Sequence, residues 1–347
     1  MLYGATGFSG TLVAERAQQM RLAPILAGRD AERVRHAARA LGCRHRALAL
    51  DEPARLAAAL RDVDVVLNAA GPFSATARPI VDACLRTSTH YLDLAGEVPV
   101  LEQIAQRDAE AKTSGVMLMP AVGFVVVPSD CLVAHVARRL PGARHLSIGV
   151  SRTDALSRGS LQTILEQWSD TVAVRRAGTL ATVPIGQLER RFDYGRGPRP
   201  SAAVSWGDIA TAHHTTGIPD VEVYLEVSPS ERAMFRLSSR LGRLLESAPV
   251  RQWLRIPGAL LPQGPTAHQR AAGVRVIVAE ARDASGRRVR SRLRTPDAYE
   301  LTAATALAVV QRVLCGDLRV GFQTPARVYG PDFVLTIDGT AREDLPV

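Results

Sequence analysis

Three glycines near the start of the chain are spaced as they are in loops that bind dinucleotides. In such a loop one glycine permits the tight turn out of a strand, a second lets the backbone approach a diphosphate, and a third lets the helix pack on the sheet. The following helix offers free N–H groups and the positive end of its dipole to the diphosphate. Because the same spacing also suits an ordinary loop, the neighbouring segments must decide between the two. The motif is Gly4-Ala5-Thr6-Gly7-Phe8-Ser9-Gly10.

The residue that follows the second apolar run indicates which nicotinamide dinucleotide would bind. The run Pro24–Gly28 stops at Arg29, where an NAD-binding protein would place a carboxylate for the ribose 2′-hydroxyl. A guanidinium there favours a 2′-phosphate, so the sequence predicts NADP as the cofactor, with Gly28 and Arg29 among its contacts. Alternatively, Arg29 is a solvated arginine at a strand end, and Asp30 is either a helix cap or the carboxylate that binds the ribose.

Two further groups of predicted cofactor contacts follow later apolar runs. Asp51 ends the third run, where it would approach the adenine or cap the next helix. Small residues after the fourth run permit close approach to the nicotinamide ribose at the carboxyl edge of the sheet, where ligands bind in open α/β folds. This second group consists of Asn68, Ala69, Gly71 and Pro72.

Hydride transfer also needs a proton donor or a group that stabilises negative charge. Tyr91 and Asp93 alternate along the fifth predicted strand, so both side chains point to one face near its carboxyl end, and they are the predicted catalytic residues. Glu97 follows in the loop and would orient polar groups of the substrate. The alternative is that Tyr91 belongs to the core and the carboxylates cap the next helix. The pair His213-His214 is a second candidate, because histidine exchanges protons near neutral pH.

Short apolar runs alternate with helical patterns from residue 1 to 123, which is typical of a parallel sheet covered by helices. Beyond that point strands are interrupted by turns and helices, as in α+β units. We therefore predict an α/β fold with an N-terminal NAD(P)-binding Rossmann domain at residues 1–123. An α+β substrate or dimerisation domain follows at 124–300, and a C-terminal helix and extended segment at 301–347 returns to the first domain.

The predicted elements can be stated by residue. Strands of the first domain are Met1–Tyr3, Pro24–Gly28, Arg44–Leu50, Val63–Asn68, His90–Leu94 and Val116–Val122. Strands of the second are His145–Val150, Asp220–Val227, Val274–Ala281 and Val289–Arg294. Other predictions are a helix capped by Ser129 or Asp130, a helix opened by Arg158-Gly159-Ser160, a flexible linker at Gly195–Ser201, a helix at Thr302–Leu314 and an extended segment at Phe322–Asp338.

Composition excludes several classes of protein. The 43 lysines and arginines exceed the 34 aspartates and glutamates, for a net charge of +9, but they are spread along the chain, so we expect no nucleic-acid partner. No stretch approaches the roughly twenty apolar residues of a membrane span, and no leader precedes the glycine motif, which predicts a cytoplasmic protein.

The four cysteines are isolated, so no metal site is predicted. The first strand is shorter than usual, so we expect the natural chain to begin upstream.

The segment 230–261 differs in character from the rest of the chain. Its leucines fall at helical spacing and arginines punctuate them, so it is amphipathic and basic. Such a helix packs in an ordinary core or a homodimer, covers a lipid-like or acyl substrate, or lies on an anionic membrane as a peripheral contact.

Several motifs together resemble the saccharopine dehydrogenase-like oxidoreductases, and the likeness runs along most of the chain. This family includes saccharopine reductases, mycobacterial trans-acting enoyl reductases and many members of unknown substrate. The resemblance implies an NADP-binding Rossmann domain followed by an α/β domain that closes over the nicotinamide. The motifs are the Gly4–Gly10 loop, Leu26-Ala27-Gly28-Arg29, Asn68-Ala69-Ala70-Gly71-Pro72-Phe73, His90–Glu97, Gly123-Phe124, Trp206-Gly207-Asp208, Thr216–Asp220 and Thr324-Pro325-Ala326-Arg327.

One departure from that family bears on function, because many relatives carry an aspartate directly after the Gly-Phe pair and this chain has Val125. The expected function is an NADP(H)-dependent oxidoreductase that reduces a carbonyl, imine or enoyl group of an apolar or acyl substrate. The alternative is a noncatalytic NADPH-binding sensor or a membrane-associated interaction protein on the same scaffold.

Overall fold

The computed structural model describes residues 1–152, 171–233 and 264–346. Its strands are β1 (Leu2–Tyr3), β2 (Leu26–Gly28), β3 (His45–Ala47), β4 (Val65–Asn68), β5 (His90–Asp93), β6 (Met117–Met119), β7 (His145–Val150), β8 (Thr171–Arg176), β9 (Thr179–Pro184), β10 (Glu189–Asp193), β11 (Pro198–Ala203), β12 (Asp220–Glu226), β13 (Val274–Arg282), β14 (Arg288–Pro296), β15 (Gly321–Phe322) and β16 (Ala341–Leu345).

The α-helices are α1 (Phe8–Gln19), α2 (Ala31–Leu41), α3 (Pro53–Leu60), α4 (Phe73–Thr87), α5 (Val98–Ala105), α6 (Asp108–Thr113), α7 (Val127–Arg139), α8 (Asp208–Thr216), α9 (Ala267–Ala272), α10 (Ala298–Leu314) and α11 (Pro325–Tyr329). A 3₁₀ turn spans Phe333–Thr336.

The first sheet is parallel throughout, with strand order β15-β6-β5-β4-β1-β2-β3. The order reverses between β1 and β4, which is the switch point at which doubly wound sheets bind ligands. Strands β1, β2, β4 and β6 are buried along their whole length, as expected for a sheet with helices on both faces. The predicted α/β class and Rossmann sheet are confirmed, and each of the six predicted strands contains an observed one.

The second sheet is mixed, with order β10-β11-β12-β7-β13-β14-β16, and the hairpin β8–β9 joins it through β12. Among the described strands of this sheet, only β12 and β7 run parallel. The four strands predicted for this part are confirmed, but β8 to β11 were missed. The predicted flexible linker Gly195–Ser201 was wrong, because its second half lies in β11. That strand contains Pro198 and Pro200, and proline is usually evidence against a strand.

The C-terminal segment crosses between the sheets. β15 joins the first sheet beside β6, and β16 pairs with β14 in the second. The predicted extended segment Phe322–Asp338 was wrong, because it contains α11 and the 3₁₀ turn. Pro325 stands in the first turn of α11, where its missing N–H costs nothing. The domain division at residues 123 and 300 stays our proposal.

Helix α10 links the glycine loop to the end of β6, and it begins four residues before the predicted start. Asp297 caps it by accepting the Tyr299 N–H at 2.8 Å. The Thr302 hydroxyl accepts the Phe124 N–H at 3.0 Å, and the Thr305 hydroxyl donates to the Val122 carbonyl at 2.8 Å. The loop after β6 is therefore fixed by side chains nearly two hundred residues further along the chain.

Two predictions made from the sequence concern segments that lie wholly or mostly outside the described residues. The helix predicted from Arg158-Gly159-Ser160 and most of the basic segment 230–261 lie outside the described residues. Within the described ranges, none of the helices has the length and apolar character needed to cross a membrane.

The buried carboxylate of Asp130 joins α7, α8 and α11, and Asp208 is a second buried carboxylate on α8. Asp130 was wrongly predicted as a cap, because α7 starts at Val127 and this carboxylate instead accepts the Thr215 hydroxyl and, at 2.7 Å, the Ala326 N–H. Burial raises the pKa of Asp130 to about 6. Asp208 is fully buried, and burial raises its pKa well above the usual range, with the neighbouring Asp130 charge acting in the same direction.

We expect Asp208 to make the folded state less stable as pH rises. A raised pKa means that folding favours the protonated carboxyl, so this contribution to stability is present at low pH and is lost as pH passes the raised value. Asn cannot ionise, so the melting temperature of Asp208→Asn minus that of the wild type should grow from about pH 4 to about pH 8. Thermal unfolding across this range, with the exposed Asp338→Asn as a control, measures the difference; a difference constant with pH would contradict the assignment.

Candidate dinucleotide site

Two of the three motif glycines are required by protein packing at the turn between β1 and α1. Gly4 has a φ of +83°, and a Cβ on it would lie 2.7 Å from the Ala70 nitrogen in the loop after β4. A Cβ on Gly10 would lie 2.1 Å from the Gly4 carbonyl oxygen. The turn and the first turn of the helix therefore touch each other, and the turn also touches the loop of the neighbouring strand, with no room for side chains between them.

Gly7, the middle glycine of the motif, is not required by packing within the protein. It is the N-cap of α1 with a φ of −81°, and a Cβ on it would find its nearest neighbour at 3.4 Å, in ordinary contact. Among the described residues no side chain caps this helix, and its first turn contains no acidic residue. Within that part of the chain the first N–H groups of α1 therefore have no side-chain acceptor, and a bare backbone at Gly7 gives a diphosphate the close approach it needs.

The other loop residues of the motif have separate contacts. The Phe8 ring meets Tyr299 of α10 edge-on at 5.0 Å, and the Arg270 guanidinium lies 5.8 Å from its centre. Phe8 thus anchors the loop to α9 and α10. Thr6 and Ser9 are half-buried beside Gly7, and the Thr6 carbonyl accepts a hydrogen bond from Arg33 at 3.2 Å.

Arg29 lies where the sequence predicts it, directly after β2. Its side chain is exposed, and among the described residues no carboxylate lies within ion-pair distance of it. Asp30 accepts the Arg33 N–H at 3.0 Å and caps α2, so its interpretation as a helix cap is confirmed. Arg33, which sequence reasoning missed, reaches from this helix back to the glycine loop; its position one helical turn after the cap was the available signal.

Asp51 stands on the same side of the sheet as Arg29. It is exposed and does not cap α3, whose N-cap is Glu52. Burial raises the pKa of the Tyr3 hydroxyl, with Arg29 lowering it and Asp51 raising it. Both charges are therefore near the Tyr3 hydroxyl, at the end of the sheet that would receive the adenosine half of a dinucleotide.

Asn68 shapes the loop after β4 from inside the protein. Its side chain is fully buried; Oδ1 accepts the Ala70 N–H at 3.0 Å, and Nδ2 donates to Thr76 at 3.2 Å and to Tyr91 at 3.3 Å. The remaining predicted contacts in this loop are Ala69 and Pro72, which are half-buried, and Gly71, which is exposed.

Tyr91 and Asp93 form a buried pair. The Tyr91 hydroxyl donates to Asp93 Oδ2 at 2.8 Å, and Asp93 Oδ1 accepts the N–H groups of Ala95 at 2.9 Å and Ala121 at 2.7 Å. Both side chains are fully buried. Burial raises the pKa of Asp93 to about 6, although its hydrogen bonds oppose the rise. The pair holds together the loops after β5 and β6, and its catalytic role stays a prediction.

Glu97 joins the loops after β4 and β5. Its carboxylate accepts the Phe73 N–H at 3.2 Å and the Gly96 N–H at 2.8 Å, and its side chain is buried. Asn68, Asp93 and Glu97 therefore all bind main-chain N–H groups of the loops that border the carboxyl edge.

The histidine pair makes contacts of its own. His213 Nδ1 lies 2.9 Å from the Ile218 carbonyl oxygen, and the His214 ring meets Phe322 at 4.9 Å. Burial lowers the pKa of His214, whose Nε2 has no hydrogen-bond partner in the described part of the chain. Neither ring bonds to the dinucleotide loops. No group of three or more metal-binding side chains occurs in the residues that the structure describes.

Comparison with known proteins agrees with this geometry. Residues 1–119 match the family model described as the saccharopine dehydrogenase NADP binding domain. Residues 1–119 are therefore similar to the NADP-binding domain of this family. The resemblance found in the sequence motifs is thus confirmed, and so is NADP as the expected cofactor of the domain.

The curated relatives match only part of this chain. A trans-acting enoyl reductase of Mycobacterium leprae is 38% identical over 150 residues, which are 40% of this chain and 35% of that protein. The enzyme of the same name from Mycobacterium ulcerans is 36% identical over 153 residues, with the same coverage.

Two solved structures share the fold over almost the whole chain. The saccharopine dehydrogenase (L-Glu forming) of Saccharomyces cerevisiae superposes with a TM-score of 0.67 and 14% identity, covering 99% of both chains. A homospermidine synthase of Legionella pneumophila, solved with NAD, gives a TM-score of 0.63 and 10% identity over 96% of this chain and 87% of that one. At such identities the likeness concerns the fold alone.

We expect Gly4→Ala and Gly7→Ala to separate folding from binding. Alanine at position 4 combines a positive φ with a backbone clash, so it should lower the free energy of unfolding by about 1 to 3 kcal/mol. Alanine at position 7 meets no such obstacle and should lower the melting temperature much less, by no more than the modest cost of alanine at a helix N-cap, yet weaken NADPH binding by crowding the diphosphate. Calorimetric titration and thermal unfolding measure the two effects; unchanged NADPH affinity in Gly7→Ala would contradict the site.

Proposed function

We propose that the protein is an NADPH-dependent reductase that acts on an activated double bond of an apolar acyl substrate. The proposal rests on the N-terminus of α1, which lies at the switch point. The described residues provide no side-chain cap there, and Gly7 leaves space for a ligand although protein packing does not require a glycine. Arg29, exposed at the end of β2, is positioned for a 2′-phosphate.

The chain's own residues bind and orient the reactants. The N–H groups at the start of α1 and its dipole bind the diphosphate, and Arg33 stiffens that loop by its bond to Thr6. Asn68, Asp93 and Glu97 fix the loops of the nicotinamide half, so little reorganisation is needed on binding. NADPH, when bound, supplies the hydride, and the substrate also takes up one proton.

The substrate class rests on the relatives. The matched proteins of Mycobacterium leprae and Mycobacterium ulcerans are trans-acting enoyl reductases, which supports an enoyl group over a carbonyl or an imine. The match spans 35% of each of these proteins, and residues 1–119 of this chain match an NADP-binding domain, so the comparisons support the cofactor half more directly than the substrate half.

A noncatalytic NADPH sensor is the second candidate, and one observation favours it. Tyr91 and Asp93 are fully buried and already bonded, to each other and to backbone N–H groups, so neither presents a free acid to a substrate. A sensor would bind NADPH and leave it unoxidised.

Deuterium transfer distinguishes the two candidates. Purified protein is mixed with NADPH that carries deuterium at both C4 positions and with trans-2-octenoyl-N-acetylcysteamine, and the products are analysed by mass spectrometry. A reductase yields a saturated thioester that contains one deuterium and consumes one NADPH for each molecule formed. NADPH binding without deuterium transfer to the enoyl thioester, or to matched keto and imine compounds, would establish the sensor instead.

Arg29→Ala tests the choice of dinucleotide. Loss of a hydrogen bond to a charged group should weaken NADPH binding by about 1.5 to 3 kcal/mol and leave NADH binding unchanged. Arg35→Ala is the matched control, because that guanidinium pairs with Glu32 on the same helix and should matter for neither dinucleotide. Equal losses for NADPH and NADH in Arg29→Ala would refute the 2′-phosphate role.

A further inference from the structure

A tryptophan from the second part of the chain lies against the loops that follow β5 and β6. The Trp206 indole N–H donates to the Val125 carbonyl oxygen at 2.8 Å, and the ring remains partly exposed. A Cβ on Gly207 would lie 3.5 Å from the Gly96 carbonyl oxygen, and a Cβ on Gly96 would lie 2.9 Å from Val125 Cγ1. Three distant segments therefore meet in direct contact, and small residues permit the close approach.

This junction stands at the half of the sheet that receives the nicotinamide. In a sheet with this strand order the adenosine half lies over β1 to β3 and the other half over β4 to β6. Val125 follows β6 by six residues, and Gly96 follows β5 by three. The substrate of a hydride transfer must reach the nicotinamide beside these loops.

The carboxylates around the junction are already occupied. Asp93 and Glu97 accept backbone N–H groups, and Glu102 is paired with the buried Arg175. Burial raises the pKa of Asp208 well above its usual range, which favours its neutral form. Within the described part of the chain, none of these four groups offers a free negative charge to a ligand.

We propose that Val125 and Trp206 form the wall against which the reacting end of the substrate lies, and that this wall admits an uncharged acyl group and rejects a protonated amine. The inference rests on the proposed function and narrows its substrate class. An ammonium group placed against a valine and an indole face would lose its hydration without gaining a carboxylate, and such burial is unfavourable. The hydrocarbon part of an acyl group has no hydrogen bond to lose there, and its neutral carbonyl loses far less hydration than an ammonium group.

Binding of two matched ligands tests this wall without turnover. The protein is saturated with NADPH and titrated calorimetrically with octanoyl-N-acetylcysteamine, which has no double bond to reduce, and with n-octylamine, which is protonated at neutral pH. The variants are Val125→Asp, the nearly isosteric Val125→Thr, Trp206→Ala and Trp206→Phe. NADPH affinity and melting temperature are measured for each of them.

The wild type should bind the thioester and not the amine. Val125→Asp and Trp206→Ala should each weaken thioester binding by about tenfold or more, while Val125→Thr and Trp206→Phe change it by less than about threefold. Val125→Asp should also gain affinity for the amine. If Val125→Asp fails to fold, as a lost melting transition would show, the Trp206 variants decide.

The outcomes keep the two proposals apart. A wild type that binds NADPH but binds the amine as tightly as the thioester, or binds no thioester, overturns this inference alone. Unchanged thioester affinity in Trp206→Ala also overturns it. A wild type that binds no NADPH overturns the proposed function, and the wall proposal fails with it.

Discussion

The contact between the Gly4 turn and the loop after β4 is the constraint on which the site depends. Gly4 adopts a positive φ and leaves no space for a side chain against Ala69 and Ala70. Gly10 then brings the first turn of α1 onto the Gly4 carbonyl. The two halves of the parallel sheet are in close contact at their switch point, so the helix N-terminus is aimed at the crevice where a dinucleotide lies.

Buried polar side chains hold the loops at the carboxyl edge of the first sheet. Asn68, Asp93 and Glu97 would be costly to bury without partners, and each is bonded to main-chain N–H groups of the loops. The same bonds that make their burial tolerable hold the loops after β4, β5 and β6 in one arrangement. α10 adds Thr302 and Thr305 to the last of these loops. The carboxyl edge of the sheet is thus ordered before a ligand binds.

Much of this could be predicted from the sequence, because it depends on local patterns. The strands of the first sheet are apolar runs separated by helices, and the glycine motif is a local turn. Asp30 illustrates the limit of such patterns: the sequence left its two roles open, and only the bond to the Arg33 N–H shows it to be a cap. The two prolines of β11 contradict the usual sequence signal for a strand, and α11 has only 5 residues, too few for a clear helical pattern. Packing against other segments determines both elements.

The contacts between distant segments could not be predicted. Nothing near Trp206 in the sequence indicates that its indole would meet Val125, and nothing near Phe8 indicates Tyr299. The same holds for Asp130, whose partners Thr215 and Ala326 come from two other helices. Such contacts depend on how the second sheet and the C-terminal helices pack against the first, which residue types alone do not specify.

Parallel calorimetric titration of the full chain with NADPH and NADH tests whether the β1–α1 turn binds NADP(H). We expect one site per chain and tighter binding of NADPH than of NADH. Binding of neither dinucleotide, or equal affinity for the two, would contradict it.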